Sequence, residues 1–176
     1  MLKHEDDLHL DLRTLSFRFV FDPPGPPKSG EALTNYAING SGTVQGAQDR
    51  EKQAQIAFWQ RAAEEGFTDQ AARASAQRFR AEFDALDKTL ARHRYLLGDA
   101  LSILDIAWFI YANRLALAGY PIARLHPRVG AWFEKLAARP EFAKEVAMPP
   151  DAVARLDATH RAHARQGKTL EMVAGF

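Results

Sequence analysis

Residues 95–107 read YLLGDALSILDIA, and this segment specifies the start of a helix in two ways. Ser102 and Asp105 stand at the N-cap and N3 positions, where each side chain can bond the backbone N–H of the other residue. Asp takes the place of the more usual Glu or Gln. Leu101 and Ile106 occupy the two positions of a hydrophobic staple. Because a buried helix cannot leave its first amides to water, such a cap is worth about 1 kcal/mol. The segment therefore predicts a helix that begins just after Ser102 in the protein interior.

The helix that follows is predicted over residues 103–118, and it is apolar on nearly every side. A helix of this kind lies at the centre of a fold. Its predicted neighbours are a long helix from Thr68 to about residue 93 and a helix opened by Pro127. Each presents one apolar stripe, formed by Phe79, Phe83, Leu86 and Leu90 on the first and by Val129, Trp132, Phe133 and Leu136 on the second. The pattern predicts an all-α helical bundle.

The same segment resembles the LLGD-x-x-S-x-A-D signature that opens the central helix in C-terminal domains of cytosolic glutathione S-transferases. Leu104 replaces the Ala that the family often has there. Residues 125–133, LHPRVGAWF, and residues 138–142, ARPEF, resemble two further family segments in the expected order. The resemblance is strongest over residues 95–142. It implies one all-helical domain of that type, which we expect to span residues 1–176.

The remaining segments are less regular. The N-terminal segment fits a helix through Leu8, Leu12, Leu15 and Phe19, and a strand through Leu15, Phe17, Phe19 and Phe21. We favour the helix because no partner strand is predicted elsewhere. A proline-rich break at residues 22–27 begins a linker and loop region, residues 22–47, within which residues 30–38 fit a short helix capped by Ser29. Residues 167–176 are predicted to form a loosely ordered tail.

Composition excludes several classes of function. Lys and Arg number 23 against 22 Asp and Glu, and no basic cluster stands out, so neither nucleic acid nor an anionic membrane is an expected partner. No segment approaches the roughly 20 apolar residues of a membrane span. Without cysteine the chain has no disulfide, thiolate metal ligand or cysteine nucleophile. We expect a cytoplasmic protein.

The resemblance also implies what the chain lacks. The N-terminal thioredoxin-like domain of the family binds glutathione and supplies the Tyr, Ser or Cys that stabilises its thiolate. No alternation of strands and helices precedes residue 95, so we expect the chain to begin at the helix that links the two domains. The chain is then expected to hold no catalytic residue and no cofactor, with glutathione as co-substrate only where the thioredoxin-like domain is present.

In the family, the C-terminal domain forms the wall of an apolar substrate site and much of the dimer surface. The first helix faces the thioredoxin-like domain, which makes Arg13, Phe17 and Phe21 candidate contact residues. Trp108 and Tyr111, beyond the capped helix start, are candidates for the substrate wall. The alternative for each aromatic is ordinary core packing, and for Arg13 a surface ion pair. Ser102 and Asp105 are assigned a structural role as the helix cap.

Two further groupings of polar residues give weaker hypotheses. His160 and His163 share a helix face and could hold a metal ion, but an exposed polar face explains them better. Asp84 and Asp87 flank a core stripe and are predicted to be solvated. We therefore expect no metal site.

These observations leave two hypotheses for function. In the first, the chain is part of a transferase that joins glutathione to a small hydrophobic electrophile, and it is inactive alone. In the second, it is a non-catalytic helical binding or scaffold module. We also expect Leu15, Phe17, Phe19 and Phe21 to form an uncovered face in the isolated domain, which favours a homodimer or a rearrangement that buries the rings.

Overall fold

The structure, a computed structural model, describes residues 2–21, 25, 27–39 and 42–176. Helices dominate it, and the predicted all-α fold is confirmed. In chain order they are α1 (Leu2–Ser16), α2 (Gly30–Ile38), α3 (Arg50–Glu65), α4 (Asp69–Leu90), α5 (Ile103–Leu117), α6 (Ile122–Leu125), α7 (Pro127–Ala137), α8 (Pro140–Glu145), α9 (Pro150–Gln166) and α10 (Leu170–Ala174). No helix among the described residues combines the length and the apolar character needed to cross a membrane.

Helix α1 continues into a π-helical segment, Phe17–Phe21, so the helical interpretation of the N-terminal segment is correct. The expected uncovered face is wrong. Leu15 and Phe19 are buried in the core, Phe17 is half-buried and Phe21 is exposed. In a strand all four side chains would share one face, whereas the helical period turns Leu15 and Phe19 inward and leaves Phe21 outside.

The chain divides into two compact units, Met1–Asp22 with Asp69–Phe176, and Pro23–Thr68. In the larger unit α5 packs against α1 and α7, and α4 packs against α1, α7 and α10. Side chains on several sides of α5 are buried, including Leu104, Trp108, Phe109 and Leu115, as its apolar composition predicts. The core therefore surrounds α5. A single domain over residues 1–176 stays a prediction.

The smaller unit contains α2, α3 and a short hairpin. Ser29 caps α2, since its hydroxyl accepts a hydrogen bond from the backbone N–H of Ala32 at 3.1 Å, as predicted. The strands β1 (Thr43–Val44) and β2 (Ala47–Gln48) pair antiparallel, so the expected loop region contains regular structure. Of the proline-rich break at residues 22–27, all but Gly25 and Pro27 lies outside the described residues.

The C-terminal segment differs from its prediction. Residues 167–176 were expected to form a loose tail, but α10 packs on α4 with Leu170, Val173 and Ala174 buried. The hydroxyl of Thr169 caps α10, and Arg73 Nε donates to the carbonyl oxygen of Val173 at 2.7 Å. Tertiary contacts thus order a helix too short to be stable by itself.

The predicted cap at the start of α5 is present, and Asp105 does more than close it. Its Oδ2 accepts from the backbone N–H of Ser102 at 3.0 Å and from the Ser102 hydroxyl at 2.6 Å. Its Oδ1 accepts from the backbone N–H of Leu96 and from Trp132 Nε1, both at 3.0 Å. Asp105 is fully buried, so these four hydrogen bonds stabilise a carboxylate that no solvent reaches.

A second polar contact joins α4 to the segment between α5 and α7. His126 is buried, with Nδ1 3.0 Å from Asp84 Oδ1 and Nε2 3.0 Å from the hydroxyl of Tyr120. Burial lowers the pKa of His126 below its ordinary value, although the charges of Asp84 and Asp87 oppose the shift. Asp84 is about half-exposed and nonetheless contacts a buried ring, so its prediction as a merely solvated residue is incomplete.

Asp87 is mostly buried, which contradicts its predicted solvation. Its Oδ1 accepts from the backbone N–H groups of Arg128 and Val129, at 2.7 and 3.2 Å, and its Oδ2 accepts from Arg128 Nη1 at 2.9 Å. Burial alone would raise the pKa of Asp87, but these hydrogen bonds hold it below its ordinary value. Asp87 on α4 thus caps α7. The sequence does not reveal this role, because the two partners are 41 and 42 residues away along the chain.

Replacing Asp105 by Ala should lower the free energy of unfolding by about 3–5 kcal/mol, because the buried N–H groups of Leu96 and Trp132 and the partly buried N–H of Ser102 lose their acceptor together. Urea denaturation followed by circular dichroism measures the change. Asp99→Ala is the matched control, since Asp99 is an exposed residue of the same segment and its loss should cost less than about 0.5 kcal/mol. Equal losses in the two variants would contradict the role given to Asp105.

Stability should fall as pH drops below about 6.5, the ordinary pKa of His126, because the lowered folded-state pKa makes protonation favour the unfolded chain. The contribution of His126 is fully present above that pH. It is lost on acidification with a slope of up to about 1.4 kcal/mol per pH unit. Urea titrations between about pH 5 and 7.5 test this.

His126→Gln should be less stable near pH 7.5 and should show a shallower acid slope than the unchanged protein. His93→Gln is the control, because His93 is exposed. An unchanged slope in His126→Gln would refute the linkage.

Candidate functional site

Two pairs among the five candidate contact residues have their rings in contact. The rings of Phe17 and Phe21 lie 5.3 Å apart at the end of the first helix, beyond the half-buried Arg13. The rings of Trp108 and Tyr111 lie 5.6 Å apart. Trp108 is only 1% exposed, so it follows the alternative of core packing, whereas Tyr111 is half-buried.

A first cleft, of about 320 Å³, opens between the π-helical segment, the last turns of α5 and the end of α8. Its walls are mainly apolar, with a few polar groups among them. The lining residues are Ser16, Val20, Phe21, Ile110, Asn113, Arg114, Leu117, Glu145, Val146 and Met148. We call this the α5 cleft. Its size is at the lower end of the roughly 300–1,000 Å³ that ligand pockets span.

A second cleft, of about 380 Å³, lies between the same π-helical segment and α9. It shares Val20, Phe21 and Met148 with the α5 cleft and also contains Leu156 and Arg155. We call it the α9 cleft. Phe21 is 63% exposed and lines both clefts, which makes it the one sequence candidate that the structure places on these cleft walls.

A third cleft, of about 270 Å³, contains His160, His163 and Glu171. His163 is buried, so the predicted exposed face is wrong for this residue. Arg18 Nη1 lies 3.2 Å from His163 Nε2. Arg18 is itself fixed by Asp69 Oδ1, which accepts from its Nε and Nη2 at 3.1 and 2.8 Å. In the part of the chain that the structure describes, no three acidic, His or Cys side chains are placed to hold a metal ion.

Sequence reasoning missed the polar residues of the α5 cleft. Helix α5 reads ILDIAWFIYANRLAL, and Asn113 and Arg114 interrupt a run that is otherwise nearly apolar after Asp105. Two adjacent polar residues in a helix of this kind could have indicated that its last turns reach the surface or a cleft. Ser16 gave no signal, because a serine at the end of a helix is usually solvated, whereas here it is buried.

Comparison with known proteins agrees with the fold. The family model for the glutathione S-transferase C-terminal domain matches residues 69–135, which run from the start of α4 into α7. The curated protein glutathione S-transferase 3 of Zea mays is 37% identical over 75 residues. That alignment covers 38% of this chain and 31% of the relative, so the match spans less than a third of the relative's length. No solved structure matches significantly.

The matched residues include the capped start of α5, Asp105 itself and its partner Trp132, the features from which the resemblance was first drawn. Over residues 69–135 the chain is therefore similar to the C-terminal domain of glutathione S-transferases.

Proposed function

We propose that this domain forms the apolar wall of the substrate site in a glutathione transferase and part of its dimer surface. In the proposed reaction the glutathione thiolate sulfur bonds to an electrophilic carbon. In a substitution the leaving group departs with its bonding electron pair, and in an addition the neighbouring atom of the opened double bond or ring takes up a proton. A thioredoxin-like domain holds glutathione, and the present chain contributes contact surface alone. The observation that supports this most directly is the position of Phe21, exposed on the shared wall of two clefts.

The physical basis is the apolar area that a ligand would cover. Val20, Phe21 and Met148 form a common wall, and Ile110, Leu117 and Leu156 extend it on either side. Covering such surface yields roughly 25 cal/mol per Å². The wall therefore favours an electrophilic substrate with an aromatic ring that packs against it.

The alternative is a non-catalytic binding or scaffold module. It is supported by where the family match lies, because Val20, Phe21 and Met148 all fall outside residues 69–135. The matched residues give the fold, and fold does not determine function. An assay of glutathione conjugation to 1-chloro-2,4-dinitrobenzene separates the possibilities. The chain alone should give no rate above the uncatalysed one, and fusion to a thioredoxin-like domain should restore turnover only under the transferase proposal.

Phe21→Ala should weaken binding of the uncharged fluorophore N-phenyl-1-naphthylamine by about fivefold, because the lost ring removes about 1 kcal/mol of apolar contact. Fluorescence titration of the folded chain measures it. Leu97→Ala is the matched control, since Leu97 is 64% exposed and lies outside both cleft walls. If both variants bind like the unchanged protein, the wall is not a binding surface.

A homodimer is the proposed assembly, with a second copy covering part of the Phe21 ring that the π-helical segment leaves exposed. Sedimentation equilibrium over a range of concentrations should show a dimer, and Phe21→Ser should shift the equilibrium toward monomer. A monomer at the highest concentrations, with Phe21 exposed and its segment ordered, would contradict the proposed dimer surface.

A further inference from the structure

The α5 cleft contains a buried hydroxyl without a partner. Ser16 is 4% exposed, and its Oγ makes no hydrogen bond with any residue that the structure describes. The nearby Thr14 is also buried, but its hydroxyl has a partner, since it donates to the carbonyl oxygen of Leu10 at 3.0 Å. Ser16 stands where α1 passes into the π-helical segment, and such irregular turns are frequent at functional sites. A buried polar atom of this kind costs stability unless something binds it.

The cleft also presents one positive and one negative side chain that do not pair. Arg114 is in the last turn of α5 and Glu145 is the last residue of α8, and both line the cleft. No ion pair joins either of them to another described residue, although exposed ion pairs such as Arg155–Asp151 form elsewhere. Asn113, one residue before Arg114, likewise makes no side-chain hydrogen bond within the described chain.

These groups together define the chemistry of a ligand. Arg114 suits a carboxylate and Glu145 suits an ammonium group, so the lining is neutral overall but carries both charges. Ser16 and Asn113 add hydrogen-bonding capacity, and Phe21, Ile110 and Val146 provide the apolar wall. Arg114 and Glu145 are exposed, so water solvates both charges in the free chain, whereas the Ser16 hydroxyl is buried without a partner. A purely apolar ligand would pair with none of the four polar groups, and a simple organic anion would leave Glu145 without a partner.

We propose that the α5 cleft binds a zwitterionic amino acid, or a compound with that end group, whose side chain is apolar and aromatic. The carboxylate binds Arg114, the ammonium group binds Glu145, the Ser16 hydroxyl hydrogen-bonds the carboxylate, and the ring packs on Phe21. This inference rests on the proposed function, because it assigns a substrate class to the same apolar wall.

The test compares three probes by calorimetry or, for millimolar affinities, by NMR chemical-shift titration. L-Phenylalanine carries both charges, 3-phenylpropanoate lacks the ammonium group, and phenethylamine lacks the carboxylate. L-Phenylalanine should bind at least about fivefold more tightly than either of the others. Arg114→Gln should remove the advantage of phenylalanine over phenethylamine, and Glu145→Gln should remove its advantage over phenylpropanoate. Lys144→Gln and Glu134→Gln are exposed, charge-matched controls and should change neither ratio.

Ser16→Ala gives a readout that a structural role would not produce. It should weaken phenylalanine binding several-fold while leaving the urea midpoint unchanged or higher, because it removes an unsatisfied buried hydroxyl. A lower midpoint with unchanged binding would overturn the role of Ser16.

The outcomes separate this inference from the proposed function. If the three probes bind equally and Phe21→Ala still weakens the uncharged fluorophore, the wall proposal stands and the zwitterion proposal is wrong. If phenylalanine shows no binding in the millimolar range, the zwitterion proposal is overturned whatever the fluorophore does.

Discussion

The carboxylate of Asp105 is the group on which the larger unit depends. Fully buried, it is stabilised by donors from three places in the chain: the backbone of Leu96, the backbone and hydroxyl of Ser102, and the indole of Trp132. Apolar contacts are non-directional and tolerate small shifts, whereas each of these bonds requires a fixed distance and angle. Moving α7 relative to the start of α5 would leave a buried charge short of a donor. Asp105 therefore sets the register of these two helices.

Helix α7 is fixed at a second point, which makes its position rigid. Asp87 on α4 accepts from the first amides of α7, at Arg128 and Val129, while Trp132 one turn later reaches Asp105 on α5. Helices α6 and α7 also pack closely at Gly130, where a Cβ would lie 2.8 Å from the Cα of Ala123. The central bundle is thus specified by polar contacts between helices, and the apolar core fills the space that they define.

The sequence predicted the part of this arrangement that is local. Ser102 and Asp105 are three residues apart, so a helical period alone brings them together. Trp132 was correctly assigned to an apolar stripe, but its bond to a carboxylate 27 residues away depends on the tertiary fold. Asp87 and the α10 segment were misjudged for the same reason. A short helix such as Leu170–Ala174 is stabilised by its contacts with α4, and no property of its own sequence reveals them.

Helix α5 shows why the family match gives the fold and leaves the ligand open. Its first turn holds Asp105, which has four donors, and its last turn holds Arg114, which has no partner among the described residues. In the sequence both are charged residues within an apolar helix, and the spacing of apolar residues does not show which of the two is buried. The structure separates them by burial and contacts. Asp105 is buried with four hydrogen-bond donors and belongs to the fold, whereas Arg114 is exposed, forms no ion pair with a described residue, and lines the same cleft as a buried hydroxyl without a partner. Because Phe21 and Met148 lie outside the matched residues, proteins with this same core can differ in the cleft and hence in what they bind.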